Sequence, residues 1–281
     1  MSTAERTLGV GIGWREEIAA FIAGLDDLRF VEVVAENIDP KAIPRPLWAL
    51  RNRDVEVIPH GLRLSLGGAD RPDPKRLEHL ANVAVALDSR LVSEHIAFVR
   101  AGGAEAGHLM PVPRTRDALA VLIENVQIAQ AALPVPLALE HVATFIEWPE
   151  TELDEAAFLS ELLAATDAQL LLDASNLYAN SHNHHYDPLA FLDRVPLDRI
   201  AYVHVGGGVE RDGLYHDTHT DPLVSGVLAL VEELCARTTP PGVLLERDDD
   251  FPPPSELTCE LDAIRAAVTA GARRRASAHA G

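Results

Sequence analysis

Residues 168–176 read Ala-Gln-Leu-Leu-Leu-Asp-Ala-Ser-Asn, three leucines that stop on Asp173 with Asn176 close behind. A short aliphatic run of this kind reads as a strand buried on both faces, the pattern of a parallel sheet covered by helices. A carboxylate at the end of such a run is costly to bury without a partner. The same arrangement recurs in PLALE (136–140), which ends on Glu140, and in VLLE (243–246), which ends on Glu246.

Working outward from these runs, strands are expected near residues 7–13, 30–36, 56–60, 91–98, 136–143, 168–174, 200–205 and 242–247. Between them, segments such as Asp73 to Asp88, Arg114 to Ala132, Glu155 to Thr166 and Pro222 to Arg237 carry apolar residues at three- and four-residue spacing. Several of these open on Pro or Asp, as helices do. Strand and helix alternate about eight times with no interior linker, repeat or low-complexity tract, which suits one closed (β/α)₈ TIM-type barrel, α/β in class, across residues 1–281. Residues 1–6 and 273–281 are expected to be frayed tails.

The chain carries 43 acidic against 24 basic residues, a formal net charge of −19, which disfavours nucleic acid and anionic membrane surfaces as partners. The N-terminus lacks the basic and apolar regions of a secretory signal, and no run approaches the roughly 20 apolar residues of a membrane helix. Two cysteines, Cys235 and Cys259, make neither a disulfide framework nor a thiolate metal site. A cytoplasmic protein is expected.

In a barrel of this type the C-terminal strand ends and the loops after them build the active site. Here they carry His60 in IPHG, Glu94 and His95 in VSEH, and Glu140 in LALEH. Beyond these come Asp173 and Asn176 in LLLDASN, His204 in YVHVGGG, Asp217 and His219 in YHDTH, and Glu246 in LLER. Each has an ordinary structural reading: a hydrogen-bonded histidine, a turn-capping Asp217, an Asx-turn at Asn176, or a Glu246–Arg247 ion pair. Unrelated structural residues would scatter over both ends of a barrel, so their joint place on one rim points to metal. Imidazole mixed with carboxylate is a ligand set for zinc, iron or manganese. His79 and His108 are expected in solvent. The segment 181–187 adds three histidines beside the sixth strand.

The ordered motifs IPHG (58–61), VSEHIAF (92–98), LALEHV (137–142), LLLDASNLY (170–178), NHHYDPLAFL (183–192), VHVGG (203–207), DTHTDP (217–222) and LLERD (244–248) are characteristic in combination. With GVGIGWREE (9–17) and FVEVVAEN (30–37) before them, they resemble the multinuclear non-haem iron-dependent oxidative enzyme family over nearly the whole chain. The resemblance implies a barrel holding two or three iron ions, mixed Fe(II)/Fe(III), with O₂ as co-substrate. It implies oxidation of residues, frequently cysteines, in a ribosomally made precursor peptide brought by a leader-binding partner protein.

Matched motif by motif, the implied metal ligands are His60, His95, Glu140, Asp173, Asn176, His184, His204, Asp217, His219 and Glu246. Among them Glu140, His204 and Asp173 are the implied catalytic centre. His60 and His95 would share one metal with Glu140; Asp173, His204 and Glu246 a second; Asn176 or His184, Asp217 and His219 a third. Glu36, Asn37 and Glu94 would lie around the site or in the substrate pocket. The chain departs from the family pattern at His141, which stands for an asparagine and could be an extra ligand, at His185, and at Gly206-Gly207-Gly208. Two other readings stay open: a divalent-metal hydrolase or isomerase of the endonuclease IV and xylose isomerase-like barrels, and a non-catalytic scaffold.

Overall fold

A computed structural model describes residues 7–279. Eight strands close into a parallel barrel: β1 (Gly9–Gly13), β2 (Phe30–Val34), β3 (Glu56–Gly61), β4 (Val92–His95), β5 (Leu137–Glu140), β6 (Gln169–Asp173), β7 (Ile200–Val205) and β8 (Gly242–Leu245). Each strand pairs with its neighbours in chain order and β8 returns to β1, the arrangement right-handed β-helix-β crossovers produce. The helices around it are α1 (Ala19–Ala23), α2 (Arg45–Arg51), α3 (Pro74–Leu87), α4 (Arg116–Ala132), α5 (Glu155–Thr166), α6 (Ala174–His184), α7 (Pro188–Leu192), α8 (Ser225–Arg237) and α9 (Pro254–His279). Aspartate or threonine side chains cap α3, α4, α5, α6 and α7 by accepting backbone N–H groups, each contact contributing about 1 kcal/mol.

Side chains alternate across each strand, so one set meets the helices and the other fills the barrel. The outer set joins the helices' apolar stripes in the main core, while Phe30, Ile58, Ala138, Leu171, Tyr202 and Leu244 plug the interior. Two residues further along their strands, the same inward positions become Glu32, His60, Glu140, Asp173, His204 and Glu246, all buried. The alternation that builds the plug therefore carries a charged layer at its C-terminal end.

Two expectations are corrected. The strand expected over 91–98 ends at His95: Ile96 makes a last backbone bond to Glu140, and from Ala97 the chain leaves the barrel for another pairing. Residues Ala97–Ala101 pair instead with Ala104–Pro111 in an antiparallel hairpin, turning through Gly102 and Gly103 at φ +56° and +84°. The tail expected to fray from residue 273 is helical through His279, where Arg274 reaches Glu232 and Glu233 on α8. Residues 1–6 lie outside the described residues. No helix among the described residues is long and apolar enough to cross a membrane.

Candidate metal centre

The centre is assembled from the ends of six adjacent strands and the loops after β7 and β8. Parallel register sets His95 directly across from Glu140, and Asp173 across from His204. The Nε2 atoms of His60 and His95 lie 3.3 Å apart, and each is 3.4 Å from Glu140 Oε2. The other carboxylate oxygen, Oε1, lies 3.5 Å from His204 Nδ1, whose nearer neighbour is Glu246 Oε2 at 3.0 Å. His219, from the loop after β7, sits 2.9 Å from Asp217 and 3.7 Å from Asp173 through Nε2, and 3.1 Å from Glu246 through Nδ1.

These atoms form overlapping groups with the spacing of ligands about an ion: His60, His95 and Glu140; Glu140, Asp173, His204 and Glu246; Asp173, Asp217 and His219. Glu140 belongs to the first two and Asp173 to the last two. Eight of the ten residues named from the sequence take part.

His184 does not, and Asn176 lies beside Glu140. Asn176 accepts from the Ala143 amide and donates to the His141 carbonyl and to Glu140 Oε1, at 3.3 Å, so it steadies Glu140. His184, at the end of α6, points Nε2 at the Thr144 carbonyl, 2.9 Å away, and lies outside the groups. A carbonyl only accepts, so this nitrogen carries hydrogen. His141 is no extra ligand either: Nδ1 meets Glu155 at 2.9 Å and Nε2 meets the Asp173 carbonyl at 3.1 Å. Glu94 accepts from the amides of Leu64 and His95, supporting the loop after β3. Of the histidines expected in solvent, His79 is half-buried and hydrogen-bonded to the Ala35 carbonyl.

Sequence reasoning missed Glu32, Asp248, Ser93 and Tyr202. Glu32 groups with His60 and Glu246, and Asp248 with His219 and Glu246. The signal for Glu32 was present, an acid inside the apolar strand FVEVV; Ser93 and Tyr202 carry no signal until the barrel closes.

Five buried atoms of the candidate ligands have no hydrogen-bond partner: Glu140 Oε2, Asp173 Oδ2, His204 Nδ1, Asp217 Oδ1 and His219 Nε2. His204 Nδ1 and His219 Nε2 stand within 3.0 Å of carboxylate oxygens yet lack hydrogen-bond alignment. Lone pairs aimed at a shared point rather than at one another have this geometry, and orphaned buried polar atoms are otherwise rare. The donor set is mixed imidazole and carboxylate, which fits zinc, iron or manganese.

The electrostatics agree. Burial, together with His95 and His204 nearby, holds His60 well below the usual histidine range. Burial opposes charge on His95, but Glu140 and Glu94 outweigh it and push His95 up to about 9. Burial raises Glu140 and Asp217, against the pull of His204 and His219 respectively. A cation bound among them would neutralise the carboxylates that burial raises. A cleft of about 800 Å³, walled by Trp14, Arg15, Glu36, Arg63, Leu109 and Asp248 among others, opens onto these groups.

Fold and site together define a TIM-type barrel with a candidate multi-metal centre at its C-terminal rim. The chain belongs to the family of the RiPP precursor modification enzyme MbnB/TglH/ChrH, whose sequence profile matches residues 9–269. A UPF0276 protein of Streptomyces avermitilis is 57% identical over 266 residues, covering 92% of this chain and 55% of that protein; the chain thus spans about half that relative's length. A UPF0276 protein of Caulobacter vibrioides is 37% identical over 272 residues, covering 94% of this chain and 96% of that one. Among solved structures, an L-ribulose 3-epimerase superposes with TM-score 0.63 at 17% identity, covering 97% of this chain and 98% of that one. Endonuclease IV from Thermus thermophilus does so at 0.59 and 20%, covering 93% and 99%. At such identities these two likenesses concern the fold alone.

Proposed function

We propose that this protein is a multinuclear iron-dependent oxidoreductase that uses O₂ to modify a ribosomally made peptide at cysteine, in the cytoplasm, with a partner protein delivering the precursor by its leader. The observation that carries this reading is the convergence of orphaned buried Glu140, Asp173, His204, Asp217 and His219 atoms in linked groups, in a chain of a peptide-modifying family. Two or three irons held by His60, His95 and Glu140, by Asp173, His204 and Glu246, and by Asp217 and His219 would supply one-electron chemistry with O₂ and acidify a substrate thiol.

The chain's own residues prepare that site. Asp173 is locked by two hydrogen bonds from the α6 N-terminus, Ser175 N at 2.5 Å and Asn176 N at 2.9 Å, leaving Oδ2 free to face the groups. His95 Nδ1 donates to the Gly61 carbonyl at 3.1 Å, which turns Nε2 toward Glu140. The cleft above accommodates a side chain with its flanking peptide, and its wall offers Glu36 Oε2, buried and without a partner, to a donor on that substrate.

The test is anaerobic loading with ferrous iron followed by elemental analysis, and co-expression with a Cys-containing precursor encoded nearby followed by mass spectrometry. Two to three irons per chain and a peptide mass change that needs iron and O₂, and vanishes in His204→Ala, are expected. One tight zinc, no iron uptake and cleavage of abasic-site DNA would favour the hydrolase reading instead.

A further inference from the structure

A chain of hydrogen bonds crosses the barrel interior between two of the candidate ligands. His204 Nε2 lies 2.9 Å from Glu32 Oε2, and the Tyr202 hydroxyl donates to the same oxygen. Ser93 Oγ is 2.7 Å from the Tyr202 hydroxyl, and His60 Nδ1 is 2.8 Å from Ser93 Oγ. All five residues are at most 2% exposed. The chain starts on a histidine of one candidate group and ends on a histidine of another, and of its three intermediate members Tyr202 belongs to the plug while Glu32 shares the inward layer of both histidines.

The chain has one consistent direction. A carboxylate oxygen only accepts, so Glu32 takes a hydrogen from His204 Nε2 and another from Tyr202. Having given its single hydrogen to Glu32, the Tyr202 oxygen accepts from the Ser93 hydroxyl. Ser93 in turn has spent its hydrogen and accepts from His60 Nδ1–H. His60 is left with a bare Nε2, the atom 3.3 Å from His95 Nε2 and 3.4 Å from Glu140 Oε2. His204 is left with Nδ1, the orphaned atom facing Glu140 and Glu246. The ring nitrogen that binds a metal is set by the hydrogen bond the other nitrogen makes.

We propose that Glu32, acting through Tyr202 and Ser93, fixes the tautomers of both histidines at once, so that His60 ligates through Nε2 and His204 through Nδ1. Glu32, Tyr202 and Ser93 are positioning residues. The inference rests on the metal-centre reading but not on the identity of the metal or the reaction. Tyr202→Phe removes the acceptor of the Ser93 hydroxyl. That hydrogen then turns to His60 Nδ1, the serine's remaining partner, and pushes the histidine proton onto Nε2, where it blocks the ligand lone pair. The His204–Glu32 contact does not pass through the lost hydroxyl.

The experiment uses zinc as a diamagnetic probe on the wild type, Tyr202→Phe and Ser93→Ala, with melting curves to confirm folding; Ser93→Ala removes only a hydroxyl and serves if the tyrosine variant does not fold. Zinc affinity is read by chelator competition, and histidine ¹⁵N spectra of the zinc-loaded protein report which nitrogen is protonated. The expected result is Nδ1–H on His60 and Nε2–H on His204 in the wild type. In either variant, zinc binding at the His60 group should weaken by roughly 10- to 100-fold while the His204 signals stay unchanged. Wild-type zinc affinity in both variants, or zinc on His60 Nδ1, overturns the proposal while leaving the metal centre standing. A wild type that takes up no zinc and no iron overturns the metal centre itself, and the tautomer assignment with it.

Discussion

His95 and Glu140 stand opposite one another on adjacent strands, and their Nε2 and Oε2 atoms lie 3.4 Å apart with no hydrogen bond between them. The same carboxylate turns its second oxygen toward His204 Nδ1, 3.5 Å away. Glu140 is thus the side chain that joins the two sides of the centre.

From this follows an ordering of variants. Glu140→Ala should lose metal from both groups it serves, whereas His184→Ala, which loses only a bond to the Thr144 carbonyl, should keep nearly all of it. Metal content of the two purified proteins after identical loading checks the ordering, and equal losses would remove Glu140 from its central place.

Metal uptake should depend on pH through His95. Its imidazole is pushed up to about 9 by Glu140 and Glu94 in spite of burial, whereas His60 is held low and is already neutral near pH 7. Binding needs the neutral ring, so the His95 proton must leave. Affinity at the His60–His95–Glu140 group should rise by about tenfold per pH unit between pH 7 and that value and then level off. Zinc titrations at a series of pH values read the slope, and a flat profile would contradict the assignment.

Gly206→Ala should disturb the third group selectively. A Cβ there would come within 2.4 Å of His219 Cδ2 and 2.8 Å of its Nε2, so the ring must move away from Asp217 and Asp173. One fewer bound ion is expected, with uptake by the His60–His95–Glu140 group retained. An unchanged stoichiometry would show that His219 does not ligate.

His141→Ala should cost stability rather than metal. Its ring bonds Glu155 at 2.9 Å and the Asp173 carbonyl at 3.1 Å, and removal leaves Glu155, with only 14% of its side chain exposed, without that partner. Breaking such a buried pair typically costs about 3 kcal/mol. Denaturant unfolding of the metal-free variant measures it; a large drop in stoichiometry with little destabilisation would return His141 to the ligand set.

The periodic part of this protein was legible in the chain. LALE, LLLD and VLLE announce buried parallel strands, because an aliphatic run covered on both faces needs no tertiary information to be recognised, and a carboxylate at its end must be neutralised by something. Eight such units suit a closed barrel better than an open sheet, and the rim follows from the strands' common direction once the barrel closes. Other features depended on which partners the fold supplies. Ile96 to Val99 continues the apolar run after His95, and only pairing with Ala104–Pro111 draws it out of the barrel. His141 directly follows Glu140 and His184 lies in the histidine-rich segment after the sixth strand, yet Glu155 and the Thr144 carbonyl engage them. Tyr202, Ser93 and Glu32 come from three different strands, and their hydrogen bonds exist because barrel closure brings inward positions more than 100 residues apart to one point. Sequence patterns determine which face of a strand a residue occupies; which atom it meets across the barrel is decided by three-dimensional register alone.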